Sequence, residues 1–206
     1  MLIDVSMPIT TGSVFRLGTP PVEIATCQFH HESEGEYESI MLSMSAHTAT
    51  HVDLVYPERR IAPERMIGPG MLIDASQSQR KVIDLVDVAG RVDVREGSFV
   101  FFRTGWSEFA ATGRYYDHPE LSSEVVEWLI SKEVGAVGID ALGLGRGRRH
   151  GEYDRRLAAH DIYVIENLAN LAAIPQGRFK VYCLPLKIED TDAIPARVLV
   201  EIEDND

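Results

Sequence analysis

Short β-type runs, each closed by turn residues, constrain this chain most. Ser98-Phe-Val-Phe-Phe-Arg103 and Gly135-Ala-Val-Gly-Ile-Asp140 are continuous apolar stretches of strand length, and Asp161–Ile165 and Phe179–Leu184 are two more. Runs of that length suit strands covered on both faces. Ala196-Arg-Val-Leu-Val-Glu-Ile202 alternates instead and reads as a half-buried strand. One helix stands out among them. Ser122 offers an N-cap and Glu124 an acidic first turn. Val125, Val126, Trp128, Leu129, Ile130 and Val134 follow at helical spacing, and Gly135 sits where a stop belongs. A shorter helix is expected over Tyr153–Ala159, before the strand at Ile162. Helices mixed with short strands give an α/β or α+β domain.

With 206 residues, no repeat and no linker-like segment, a single domain over residues 1–206 is expected. A chain of this length buries about 70% of its unfolded surface and needs no staple. The net charge of −12 excludes a general nucleic-acid binder and a protein held electrostatically on anionic lipid. Cys27 and Cys183 form no CxxC pair, which points to a reducing compartment. There is no long apolar run and no basic, apolar leader at Met1–Ser6, so a soluble cytoplasmic protein without a membrane span is expected. Residues 141–156 hold three alternate glycines and five arginines. They read as a solvated basic loop, whose arginines have the alternative of attracting an anionic substrate. The GxGxG spacing is not that of a dinucleotide or nucleotide phosphate loop.

Ser45-Ala-His47-Thr-Ala-Thr-His51-Val-Asp53 carries the chemistry. Two imidazoles and a carboxylate suit zinc or manganese. In an extended strand His47 and His51 would stand about 13 Å apart, too far to share an ion. On a helix they would share a face, but Asp53 would point elsewhere, about 200° on. All three converge only if the chain turns after His47 and runs into a strand by Asp53. The alternative is a set of hydrogen-bonded polar side chains held between apolar neighbours.

The chain resembles the metal-dependent cyclase family that includes bacterial kynurenine formamidase and isatin hydrolase. Its central pattern, His-x-Gly-Thr-His-x-Asp-x-Pro-x-His, is matched by His47-Thr-Ala49-Thr50-His51-Val-Asp53-Leu-Val55-Tyr-Pro57. Ile3-Asp-Val-Ser6-Met-Pro8, Arg103-Thr-Gly-Trp106, Val137-Gly-Ile-Asp140, Ile165-Glu166-Asn-Leu168, Leu184–Ile188 and Pro195-Ala-Arg197 follow the family's other segments in order. The resemblance implies an α/β fold with a swivelling β/β/α arrangement, a barrel-like sheet with flanking helices, assembled as a homodimer or homotetramer. It implies a hydrolase acting on an amide, cyclic amide or lactone bond in a small molecule, with one or two divalent ions, zinc or manganese. His47, His51, Asp53 and Glu166 take the ligand positions, and Asp53 would bridge two ions.

Four departures qualify this. Ala49 replaces the pattern's Gly, so the turn is expected to use a conformation open to a Cβ. Val55 replaces its Pro, and Pro57 replaces the His that serves as acid/base. The family's other ligand, a His twelve residues before the late Glu, is Asp154 here, which makes the site richer in oxygen and more suited to manganese or magnesium. Glu166, Asp154 or His150 must then move the proton, or the chain is a weakened family member that binds metal and a small ligand or partner without efficient turnover. His160 is expected at the surface. His30 and His31 are expected in a solvated loop or at the mouth of the site, and His118 in a turn. Tyr56 reads as a donor or a packed ring, and Trp106 and Phe109 as core in preference to a pocket wall.

Overall fold

A computed structural model of the chain describes residues 1–78, 80–90 and 93–202. Its strands are β1 (Leu2–Asp4), β2 (Glu23–His31), β3 (Gly35–Ser43), β4 (His51–Asp53), β5 (Ile67–Asp74), β6 (Val82–Ile83), β7 (Phe99–Arg103), β8 (Glu120–Leu121), β9 (Ala136–Ile139), β10 (Tyr163–Glu166), β11 (Phe179–Pro185) and β12 (Ala193–Glu201). Three α-helices accompany them, α1 (Leu85–Val88), α2 (Ser123–Ser131) and α3 (Arg148–Ala159). One sheet runs β1-β12-β11-β5-β7-β9-β10-β4, and a further pairing of β12 with β4 closes it. Seven strands thus form a barrel, and β1 continues the edge of β12 beyond β4. Strands β5, β7, β9 and β10 are mutually parallel, and the other pairs in this sheet are antiparallel. The expected α/β barrel-like sheet with flanking helices is what forms.

The continuous apolar runs are explained by burial on both faces. Along β7, Phe99 and Phe101 fill the barrel while Val100 and Phe102 face outward under the helices. Strand β10 divides in the same way, with Tyr163 and Ile165 inside and Val164 outside. The outer cluster is completed by Val125, Val126 and Leu129 of α2 and Leu157 of α3. The period of two has a direct consequence for the site. Val52 points into the barrel, so His51 and Asp53 of the same strand share its outer face. Glu166, in step with Val164, lies on that same outer face of β10.

Helix α2 starts as expected, with Ser122 accepting from the Val125 amide. It stops earlier than Gly135. Glu133 takes the left-handed conformation (φ 51°) that ends the turn. Gly135 answers a different need, because a Cβ there would lie 2.6 Å from the Gly97 carbonyl oxygen.

The stretch 141–156 corrects the sequence reading. Ala141 and Leu144 are fully buried, and α3 already begins at Arg148, five residues before the expected helix. Gly147 at its N-cap (φ 57°) lets the glycine-rich segment swing directly into the helix. Three of its five arginines are paired with carboxylates, Arg146 with Asp117, Arg149 with Glu120 and Arg156 with Glu127. His30 and His31 are not in a loop either. They end β2, which pairs with β3 as a separate two-stranded hairpin. No described helix is long and apolar enough to cross a membrane.

Candidate metal centre

The turn expected after His47 is present. The His47 amide donates to the Ser45 hydroxyl at 3.2 Å and the Thr48 amide to the Ser45 carbonyl at 3.1 Å. Ala49 then reverses the chain with φ 52°. This overturns the expectation of a conformation open to a Cβ. The position keeps a left-handed backbone that favours glycine, and the surrounding bonds hold alanine in it. Strand β4 follows, locked between β10 and β12, with Glu166 opposite His51 on one side and Pro195 opposite it on the other.

Two groups of side chains result. His47 Nδ1 stands 3.3 Å from His51 Nε2 and 3.2 Å from Asp53 Oδ1, and His51 Nε2 lies 3.5 Å from Asp53 Oδ1. The second group comes from α3 and β10. His150 Nε2 is 3.6 Å from both Asp154 Oδ2 and Glu166 Oε1. His150 and Asp154 share a helix face because they are four residues apart. Glu166 joins the two groups, its other oxygen lying 3.5 Å from His51 Nε2. Each trio offers its atoms within the span of one ion. All six side chains singled out in the sequence are therefore brought together.

The donors fit a cation. Asp53 Oδ2, Asp154 Oδ1 and Glu166 Oε1 are buried without a hydrogen-bond partner. Buried carboxylate oxygens without partners are costly unless something positive meets them. The imidazoles are also oriented for it. His51 Nδ1 donates to the Ala49 carbonyl at 2.9 Å, which turns Nε2 to the carboxylates. His47 Nε2 bonds Asp192 Oδ2 at 3.2 Å, which turns Nδ1 inward. Without a cation the charges compensate one another. Burial alone would lower the pKa of His51, but Asp53 and Glu166 outweigh it and hold it well above the ordinary value. Burial opposes ionisation of Asp53 too, yet His51 and His47 hold its carboxyl below the usual range. For Asp154 the balance goes the other way; burial and then repulsion from Asp53 and Glu166 outweigh the attraction of His51 and Arg155 and push it up to about 9.

Gly143 explains one glycine of the 141–147 segment. Its φ is +94°, and a Cβ would lie 2.4 Å from His150 Nδ1 and 2.8 Å from Glu166 Oε1. Gly143→Ala is expected to displace His150 and weaken divalent-ion binding while the barrel stays folded. Circular dichroism and a calorimetric Mn²⁺ titration read the two effects, and unchanged affinity would contradict this packing.

Sequence reading missed three residues near the centre. Asp192 lies in a plain acidic stretch, Glu189–Asp192, and its role depends on a turn over a hundred residues away. Asn167 is completely buried behind the His47–His51 turn. His118 follows the 3₁₀ turn that ends at Asp117, in keeping with a turn position, but it is also buried (3% exposed), and burial lowers its pKa. His160 is exposed, as expected, and so is Tyr56. Trp106 packs on Phe109 at 5.0 Å between centroids at the edge of two apolar clusters, and both half-buried rings also line a cavity with Arg103 and Arg114, so each serves as core edge and pocket wall together. The Arg103-Thr-Gly segment is structural: Asp140 accepts from the Thr104 amide, the Thr104 hydroxyl and the Gly105 amide.

Residues 3–146 match the family model described as putative cyclase, over more than half of the chain. The chain belongs to the cyclase family. Among curated relatives of this cyclase, a kynurenine formamidase of Erythrobacter litoralis is 31% identical over 167 residues, 77% of this chain and 74% of the relative. A kynurenine formamidase of Bacillus cereus is 23% identical over 96% of each chain. Among solved structures, one described as a potential metal-dependent hydrolase with cyclase activity is 28% identical, covers 99% of both chains and superposes with a TM-score of 0.81. Isatin hydrolase A of Labrenzia aggregata, at 20% identity and a TM-score of 0.83, shares the fold.

Proposed function

We propose that this cyclase-family chain, as one catalytic domain over residues 1–206, is a metal-dependent hydrolase that opens an amide, cyclic amide or lactone bond in a small molecule. The observation that carries the reading is Glu166 between two His/carboxylate groups, with three buried carboxylate oxygens lacking partners. His47, His51 and Asp53 would hold one divalent ion, zinc or manganese. Asp154 and Glu166 would hold a second. Bound there, the metal supplies Lewis-acid polarisation of a carbonyl and acidification of water.

The chain's own residues supply the rest. Pro57 has no titratable group, so the proton falls to His150 or Glu166. The His150 side chain is 23% exposed, and its Nε2 stands beside Glu166 Oε1. In this reading it would take the proton of an attacking water and return it to the leaving nitrogen or oxygen. Such help is worth about 10²- to 10⁴-fold in rate. Asp192 and the Ala49 carbonyl keep the two imidazoles turned inward during the cycle.

The test is incubation with N-formyl aromatic amines, isatin-like rings and lactones, with Mn²⁺ or Zn²⁺ and with a chelator. Metal-dependent turnover of one class is expected. No turnover with stoichiometric metal bound would favour the second reading, a family member that keeps metal and ligand binding without efficient catalysis. Pro57 and Asp154 are the observations behind that reading. Asp154→His, which restores the imidazole of the family pattern, is expected to raise zinc affinity relative to manganese. An unchanged Zn²⁺ titration would remove Asp154 from the ligand set.

A cytoplasmic homodimer or homotetramer is proposed with this activity. Its support is the exposed apolar surface of the hairpin, where Ile40, Met41 and Leu42 are at least half exposed. Sedimentation of the intact chain tests the assembly.

A further inference from the structure

Directly after Glu166 the backbone turns left-handed at Asn167 (φ 56°), whose side chain is completely buried. Its Nδ2 donates to the Ala49 carbonyl at 2.8 Å, the same oxygen that receives His51 Nδ1 at 2.9 Å. Its Oδ1 accepts from the Tyr115 hydroxyl at 2.5 Å. Its backbone carbonyl accepts from the Thr50 hydroxyl at 2.6 Å, and that hydroxyl in turn accepts from the Met7 amide at 2.7 Å. Two straps therefore tie residue 167 to residues 49 and 50 of the turn.

The donor pattern leaves one arrangement. The Ala49 carbonyl only accepts, so it must meet the Nδ2 side of the carboxamide. The Oδ1 side then needs a donor, which the phenol provides. Burial and the nearby Glu166 charge hold the Tyr115 pKa well above its usual value, so the phenol remains a donor. We propose that Asn167, oriented by Tyr115, is a positioning residue that holds the Ala49 carbonyl and thereby aims His51 Nε2 at the point Glu166 also faces. The inference rests on the metal-centre reading for its functional meaning, but its geometric content stands apart from it. Asn167 touches no reacting group; it acts through Ala49 and His51.

Asn167→Asp keeps the size and tolerance for a left-handed backbone but replaces the NH₂ donor with an acceptor. Tyr115→Phe removes only the hydroxyl. Mn²⁺ is titrated into each folded protein, and the metal-free crystal structures are compared. Asn167→Asp is expected to weaken Mn²⁺ binding about 10–100-fold, as loss of a ligand's supporting partner does. Tyr115→Phe is expected to weaken it less, and the His51 ring or the Ala49 peptide should reorient in the metal-free Asn167→Asp structure. A merely structural role would lower the melting temperature and leave Mn²⁺ affinity unchanged, which would overturn the proposal. If Asn167→Asp does not fold, Tyr115→Phe decides on the same two readouts. If the wild-type chain takes up neither Mn²⁺ nor Zn²⁺, the metal reading fails. The metal-free structures then still decide the positioning role, and unmoved Ala49 and His51 overturn it.

Discussion

Glu166→Gln is expected to eliminate divalent-ion binding and turnover together while leaving the barrel folded. The substitution keeps the shape of the side chain and removes one negative charge. Both carboxylate oxygens of Glu166 face the centre, one toward His51 and the other toward His150. Losing an outer-shell partner commonly costs about 10–100-fold in metal affinity, so losing this shared carboxylate should cost more than 100-fold. The metal-free protein should respond in the opposite direction. Glu166 is one of the charges that force Asp154 to stay protonated, and its own Oε1 is buried without a partner. Removing that charge relieves its repulsion with Asp154, which the charged His51 offsets only in part. The metal-free variant should therefore melt no lower than the metal-free wild type. Calorimetric Mn²⁺ titration, turnover and thermal melts of the same samples check it. Tight Mn²⁺ binding by the folded variant would show that Glu166 does not hold the ion.

Metal uptake near neutral pH should release protons. In the metal-free protein His51 is held charged by Asp53 and Glu166, and Asp154, at about 9, retains its proton. A cation replaces both protons, because ligands bind it deprotonated. Calorimetric titrations in buffers of different ionisation enthalpy should show release of about one to two protons per chain, and affinity should rise with pH. Heats independent of the buffer would contradict this. The same groups set the stability of the metal-free chain. Asp154 is raised from 3.8 to about 9, so its contribution is full below the lower value and is lost as pH climbs to the upper one. His51 is raised as well, and its contribution is lost as pH rises through its folded value. Asp53 is lowered, so its contribution is present above 3.8 and fades only in acid. The melting temperature of the metal-free protein should therefore fall from about pH 4 to about pH 9, and added Mn²⁺ should flatten that slope.

The strands around the site were legible because each is covered on both faces and therefore reads as an unbroken apolar run. Residues 98–103, 135–140 and 179–184 all carry strands within a residue or two of those bounds. The His47–Asp53 turn was legible from geometry alone, since no regular element lets all three side chains meet. The start of α3 was hidden. Its first turn is Arg148-Arg-His-Gly, a polar segment behind alternate glycines, and it forms a helix through packing on β10 and a bond from Arg149 to Glu120, which lies far off in the chain. With the helix unseen, His150 could not be placed beside Asp154. Ala49 shows a different gap. Its left-handed backbone is imposed by Asn167, Thr50 and His51 acting together, and no local preference of alanine signals it. The hairpin of β2 and β3 was missed because charged residues interrupt its apolar ones and neither strand covers a core.

The most direct measurement is a crystal structure of the chain grown with Mn²⁺, recorded for anomalous scattering at the manganese edge. An anomalous peak at about 2.0–2.2 Å from His51 Nε2 and an Asp53 oxygen, the span of nitrogen and carboxylate ligands, is the predicted result. Full manganese occupancy elsewhere, with these side chains unmoved and no peak among them, would contradict it.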